Sequence, residues 1–360
     1  MPTDEQPGVD QAAPNGAGRG PGGRSRPRME DVAAHAGVAL KTVSRVVNGE
    51  PGVTQRTAER VHAAIDQLGF RRNDSARVLR KGQTASIGLI MEDIGNPFYS
   101  ALSRAVEDVA REHGHLLFTG SSDEDPVRER ELALSFCARR VDGLIVIPTS
   151  HDHTYLLPEI SAGTAMVFVD RPACLIEADT VLSDNVGGAR EAVDHLIRHG
   201  HQRVGFIGDS PRVATAVARL RGYREAMAAA RLGVDDTWVA LSSPTDKAVR
   251  LALCQMLTGP APITALFCGN NRVSVLALRE LGASGISLAF VGFDDFELAD
   301  LLRPGITVVA QDVARLGRVA AELLFRRLAG HCGPAEHINV GTRLVQRGSG
   351  ELPPTRIVGP

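Results

Sequence analysis

The stretch DVAAHAGVALKTVSRVVNGEPGVTQRTAERV, residues 31–61, decides the reading. Its apolar positions fall into three short helical registers separated by glycine-containing turns. A first helix near 29–36 buries Val32, Ala33 and Ala36, and Gly37 closes it as a left-handed cap. A second, near 40–47, turns Val43, Val46 and Val47 inward and leaves Leu40, Lys41, Ser44, Arg45 and Asn48 facing outward. A third follows Thr54, aligns Ala58, Val61, Ile65 and Leu68 on one stripe, and stops at Gly69. Helix, tight turn and a second helix with a polar, basic outer face make a helix-turn-helix candidate, with the third helix completing a small core.

The surroundings agree in charge. The formal net charge of the whole chain is −2, yet residues 19–82 hold thirteen basic side chains against six acidic ones, a net of +7. A compact basic segment on an acidic body suits phosphate binding, because neutralising phosphates releases condensed counterions. Residues 1–27, rich in Gly, Pro, Ala and Gln, read as a disordered tail with a basic end. Its GRGPGG spelling is no dinucleotide loop, since neither strand nor helix flanks it. On the other side, NDSARVLRK, residues 73–81, is helix-capable but shorter than the roughly 12–15 residues an isolated helix needs in water.

After Gly82 the pattern changes to alternating strands and helices. Apolar runs at 86–91, 115–119, 142–147, 165–169, 203–207, 263–268 and 287–292 predict strands, and amphipathic segments such as 98–113, 187–199, 213–231 and 312–329 predict the connecting helices. Buried parallel strands with crossover helices give a doubly wound α/β body, large enough for two lobes with a cleft at the strand carboxyl ends. The expected organisation is a tail (1–27), a head (28–70), a hinge (71–82), a two-lobed body (83–348) and a C-terminal tail (349–360).

With 360 residues, 43% of them hydrophobic, the chain can bury a full core. No apolar run reaches membrane-spanning length and the first 28 residues lack a secretory core, so a cytoplasmic protein without a membrane partner is expected. Five cysteines without a Cys-x-x-Cys pair read as buried thiols. His151, His153, His199 and His201 read as loop or surface residues, because no further ligand completes a metal set. No cofactor is expected.

These motifs resemble the lactose-repressor/galactose-repressor family of bacterial transcription regulators. DVA, AGV, TVSRVVN and T-x-x-R-V carry the resemblance in the head, and NDSARVLR is similar to the family's hinge helix. GNPFY, VDGLIVIP, FVDRP, HL-x-x-HGH, R-x-x-GY, VGFDD and QD carry it through a body similar to periplasmic sugar-binding proteins. The resemblance implies a homodimer on a pseudo-palindromic double-stranded DNA operator. Leu40, Lys41 and Arg45 would read bases, and Thr42, Ser44, Asn48, Thr54 and Thr57 would meet base edges or phosphates. Asn73, Ala76 and Leu79 would contact DNA from the hinge, with Leu79 wedged into the minor groove.

In the cleft the resemblance implies that Phe98 and Tyr99 form a stacking or apolar wall, with Asp170, Arg171, Thr215, Arg219, Asn270 and Asp294 supplying polar contacts. Such a set suits a small polyol effector, a sugar or sugar derivative, since carboxylates, amide and guanidinium bind hydroxyls while a ring packs on an apolar sugar face. Val213 stands where purine-binding relatives have arginine and Asn271 where the family often has aspartate, which favours a sugar over a purine. Ala39 replaces the family's capping serine and Arg72 its proline. No heptad follows Gly348, so a dimer rather than a tetramer is expected.

Two other functions lack their signatures. Only three lysines occur, none in a Gly-Lys-Ser/Thr loop, and no strand leads into Gly-x-Gly-x-x-Gly, so an enzyme is not expected. A transport receptor would share the body but requires export.

Overall fold

The computed structural model describes residues 27–71 and 84–354. They fall into a small head and a large body. The hinge residues Asn73, Ala76 and Leu79, Arg72 and nearly all of the N-terminal tail lie outside the described residues.

The head is three helices: α1 (Met29–Ala36), α2 (Leu40–Asn48) and α3 (Gln55–Leu68). Val32, Ala33, Ala36, Val43, Val61 and Ala64 form its core. Ala64 was absent from the expected stripe, while Ala58, Ile65 and Leu68 are only half-buried. Each helix ends on a left-handed glycine, Gly37, Gly49 or Gly69. So small a core needs a polar brace, and the Arg60 guanidinium supplies one, donating to the Ala36 carbonyl at 2.6 Å.

The body contains two six-stranded sheets of matching order. The first comprises β1 (Ser86–Met91), β2 (Leu116–Ser121), β3 (Gly143–Val146), β4 (Ala165–Val169), β5 (Asp179–Ser183) and β11 (His337–Val340), ordered β11-β5-β4-β3-β1-β2. The second comprises β6 (Val204–Gly208), β7 (Val239–Leu241), β8 (Ala265–Cys268), β9 (Ala289–Phe293), β10 (Thr307–Gln311) and β12 (Thr342–Val345), ordered β12-β10-β9-β8-β6-β7. Pairing is parallel except at β12, which runs antiparallel to β10. Strands such as β1 and β9 are buried on both faces, which is why they read as unbroken apolar runs. At the sheet edge β2 leaves Leu116 and Phe118 exposed.

The helices are α4 (Pro97–Glu112), α5 (Pro126–Ala138), α6 (Leu157–Ser161), α7 (Asn185–Arg198), α8 (Ala214–Ala229), α9 (Asp246–Thr258), α10 (Asn271–Ser284) and α11 (Val313–Leu328). Two of them change lobes. Helix α7 leaves β5 of the first sheet yet buries Ala189, Ala192, Val193 and Leu196 in the core of the second lobe. Helix α11 leaves β10 of the second sheet and buries Leu316, Ala320, Leu323 and Leu324 in the first lobe. A third crossing follows the Gly341 break between β11 and β12, so three strands of chain join the lobes.

Several expectations are corrected. Residues 349–352, taken as the start of a tail, belong to the second lobe: the Ser349 hydroxyl donates to the Phe290 carbonyl at 2.6 Å, and the Glu351 carboxylate meets His195 at 2.6 Å. His153 and His201 lie in loops, as expected, but are fully buried rather than at the surface, His201 held by Thr264 and the Leu352 carbonyl. Of the cysteines only Cys137 and Cys268 are buried; Cys254 and Cys332 are exposed. Strands β5, β7, β10, β11 and β12 were not anticipated; β7, β11 and β12 are only three or four residues long, too short for a periodic signal. Among the described residues no helix is long and apolar enough to cross a membrane.

Candidate functional site

The head presents the outer face of α2. Leu40 is 44% exposed, Lys41 is exposed, and Thr42, Ser44, Arg45 and Asn48 are half-buried along the same helix. The Asn48 amide donates to the Ser44 hydroxyl (3.3 Å) and the Glu50 carboxylate (3.2 Å), which orients both side chains before any contact with DNA. Thr54 and Thr57 share a hydroxyl hydrogen bond of 2.9 Å at the start of α3. No side chain caps α2, because Ala39 has no oxygen to offer its first amides. All eight expected head residues thus lie on the α2 face or at the α3 start.

The body carries a narrow polar cleft between its lobes, with a cavity volume of about 30 Å³. Every expected body residue lines it: Phe98, Tyr99, Asp170 and Arg171 from the first lobe, and Thr215, Arg219, Asn270 and Asp294 from the second. The strand ends explain the convergence. Asp170 follows β4 and Asp294 follows β9, both in the left-handed region (φ 68° and 69°) and both buried. Each donates its amide to the neighbouring strand, Asp170 to the Val181 carbonyl and Asp294 to the Val309 carbonyl, both at 2.9 Å. The two lobes therefore repeat one device, a strained aspartate at a strand carboxyl end, turned into the cleft.

On the first-lobe side everything polar gathers on Arg171. Its guanidinium donates to the Pro148 carbonyl (3.0 Å), to the Glu92 carboxylate (3.2 Å), to the Tyr99 hydroxyl (3.2 Å) and to Glu124 (2.5 Å). Tyr99 in turn donates to Glu92 at 2.8 Å. Tyr99 is thus buried and works through its hydroxyl, whereas the expected ring wall falls to Phe98, which packs edge-on against it with centroids 5.1 Å apart. Burial, then the nearby Glu124, raises the Glu92 carboxyl above the usual range. Burial also raises the Asp170 carboxyl to about 6 despite Arg171 and Arg219.

On the second-lobe side Arg219 lies 3.8 Å from the Phe293 ring centroid. It donates to Asn185 (2.8 Å), to the Gly269 carbonyl (2.7 Å) and to Asp294 (3.4 Å). Asp294 also accepts from Gln311 at 2.5 Å. Asn270 caps α10, accepting from the Val273 amide at 2.8 Å, and donates to Asp209 at 2.9 Å, so its amide is already engaged on both sides. Two contacts bridge the lobes: Asn271 donates to Asn96 at 2.9 Å and Arg272 to Glu92 at 3.0 Å.

Sequence reasoning missed Glu92, Asn96, Glu124, Asp209, Arg272 and Gln311. Glu92, Asp209 and Gln311 stand at or just beyond the carboxyl ends of β1, β6 and β10, so the strand-end rule applied to every strand would have flagged them. Glu124 carried no such signal. A buried support, also unforeseen, sits behind Arg171: Glu129 of α5 accepts from the Thr149 and Ser150 amides and the Tyr155 hydroxyl and faces His153, whose Nδ1 accepts from the Cys174 amide. It ties together the loops after β3 and β4.

Residues 28–73 match the lacI family of bacterial regulatory proteins, and residues 193–350 match a periplasmic binding protein-like domain. The chain is 33% identical over 342 residues to the HTH-type transcriptional regulator CelR of Thermobifida fusca, covering 91% of this chain and 99% of that one. It is similar to the solved structure of a CelR–cellobiose complex, with 31% identity, a TM-score of 0.66 and coverage of 90% and 100%. The fold is also that of the lac repressor dimer bound to operator, with a TM-score of 0.79, 23% identity and coverage of 91% and 99%.

Proposed function

Since the chain belongs to the lacI family and is a DNA-binding transcriptional regulator, not an enzyme, we propose that it represses transcription in the cytoplasm, binding a pseudo-palindromic operator as a homodimer under control of a sugar. The observation that carries the effector half is the convergence of strand-end carboxylates, amides and a phenyl ring from both lobes on one cleft. Such a set holds hydroxyls with acceptors and donors while the ring covers an apolar sugar face. The CelR–cellobiose complex supports the sugar reading. Exposed apolar residues on the β2 edge, Leu116 and Phe118, support self-association.

In the head, α2 enters the major groove, where Leu40, Lys41 and Arg45 meet bases and Thr42, Ser44, Asn48, Thr54 and Thr57 meet base edges or phosphates. Asn73, Ala76 and Leu79 extend the contact into the minor groove. Ligand binding biases the relation between the lobes, because it adds contacts to both sides of a cleft already bridged by Arg272 and Asn271.

Selection of duplexes from a random library by the full-length protein, with and without a panel of sugars, tests the whole reading. A two-half-site palindrome whose recovery changes with one sugar supports it; enrichment of no sequence under any condition overturns it. Within that experiment Arg45→Ala is expected to weaken operator binding by about 1–3 kcal/mol while leaving non-specific binding nearly intact. Equal losses on both DNAs would reassign Arg45 to the phosphate backbone.

A further inference from the structure

We infer that Glu92 and Glu124 set the charge class of the effector: by occupying the guanidinium groups at the cleft they make it accept an uncharged or cationic, hydroxyl-rich ligand and refuse a phosphorylated or carboxylated one. This rests on the sugar reading above and narrows it.

Glu92 and Glu124 hold two of the three arginines of the cleft, Arg171 and Arg272, and the third, Arg219, pairs with groups of the second lobe. Arg171, almost fully buried, spends its terminal nitrogens on Glu92, Glu124, Tyr99 and the Pro148 carbonyl. Arg219, equally buried, uses its Nε on Asn185 and its Nη1 on the Gly269 carbonyl and Asp294. Arg272 is half-exposed, but Glu92 pairs with it at 3.0 Å. An incoming anion would have to displace the buried Glu92 carboxylate, and the Glu124 carboxylate at the rim, from Arg171, leaving Glu92 desolvated and unpaired.

The unsatisfied groups point the same way. Among the described residues the Asp170 carboxylate accepts no hydrogen bond and has only the Arg171 Nε at 3.7 Å. The Gln311 Oε1 is buried without a partner. Both are acceptors that a ligand O–H or N–H would fill, while the unpartnered donor beside them, the Arg171 Nε, faces the Asp170 carboxylate at 3.7 Å. The adjoining mouth adds to the field: Glu92, Asp93, Asp123, Glu124 and Asp209 line it against Arg212 and Arg272. A cleft of that sign concentrates cations and repels anions.

Calorimetric titration of the full-length protein near neutral pH and at fixed ionic strength tests the assignment. The ligands are glucose and cellobiose, glucosamine, glucose phosphate, gluconate and inorganic phosphate, each run on the wild type, Glu92→Gln and Glu124→Gln. Wild-type binding is expected only from neutral and cationic members, and each variant is expected to gain about tenfold or more in affinity for inorganic and glucose phosphate, because a guanidinium is released for charge-assisted pairing. Tighter wild-type binding of an anionic sugar than of its neutral parent overturns the charge assignment and leaves the sugar reading standing. Failure of both variants to gain phosphate affinity overturns it as well. If no sugar of any class binds, the sugar reading falls, and the phosphate comparison between wild type and variants alone then supports or overturns the role of the two glutamates. Glu124, on the half-exposed rim, keeps that comparison available should Glu92→Gln fold poorly.

Discussion

Asp170, a buried carboxyl lining the cleft, acts on the stability of the protein itself. Burial holds its carboxyl at about 6, above its ordinary 3.8, so the folded state binds the proton more tightly than the unfolded chain does. The stabilisation this brings is complete below about pH 4 and is lost as pH rises through about 6. Asp170→Asn keeps the shape and removes the titration. The variant is therefore expected to gain roughly 2–3 kcal/mol relative to wild type between pH 4 and 6 and to hold a constant advantage above. Urea unfolding midpoints across that range check it, and a difference independent of pH would mean that Asp170 is solvated in the cleft. Its neighbour Asn270 is the contrary case: its residue type suggested a ligand contact, yet its amide is used up in capping α10 and holding Asp209. Residue type can be read from sequence; the competition for each polar atom cannot.

At the scale of elements, the helices that change lobes depend on close backbone approach. A Cβ on Gly222 of α8 would stand 2.3 Å from the Val186 carbonyl oxygen and 2.8 Å from the Ala189 Cβ, both on α7. Gly317 of α11 meets α4 in the same way, 2.7 Å from the Leu102 carbonyl oxygen. Backbone cannot yield as a side-chain tip can, so Gly222→Val is expected to lose about 1–3 kcal/mol or more. Gly233→Ala, with nothing within 4 Å, serves as the control that melts like wild type. Thermal unfolding of the two variants side by side decides; equal midpoints would show that α7 and α8 separate freely. The periodicity of α7 and α11 was plain in the sequence. Which sheet each would cover was not, because an amphipathic stripe specifies an apolar partner and not its identity.

At the scale of the molecule, the expected assembly is a dimer. The exposed Leu116 and Phe118 lie on β2 at the open edge of the first sheet, where an unpaired strand invites a partner. Light scattering is expected to return twice the chain mass of 38.3 kDa, and Phe118→Arg to shift it toward the monomer; a fourfold mass would overturn the dimer. By itself the sequence determined the three head helices with their glycine stops, the alternation of strand and helix from 86 onward, and the family to which those motifs belong. Each rests on local chemistry: a left-handed cap, a helical stripe, an apolar run buried on both faces. The resemblance also named the eight cleft residues, of which Asp170, Arg171, Asn270 and Asp294 follow strand ends and Phe98, Tyr99, Thr215 and Arg219 lie on α4 and α8. Tertiary structure alone decided that α7 and α11 exchange lobes and that residues 349–352 complete the second one. It alone decided, too, that Glu92 and Glu124 sit on Arg171. Those two acids lie 79 and 47 residues from the arginine they neutralise. Pairing over such separations is settled by how the strands order themselves in the sheet, and no local pattern in the chain encodes that order.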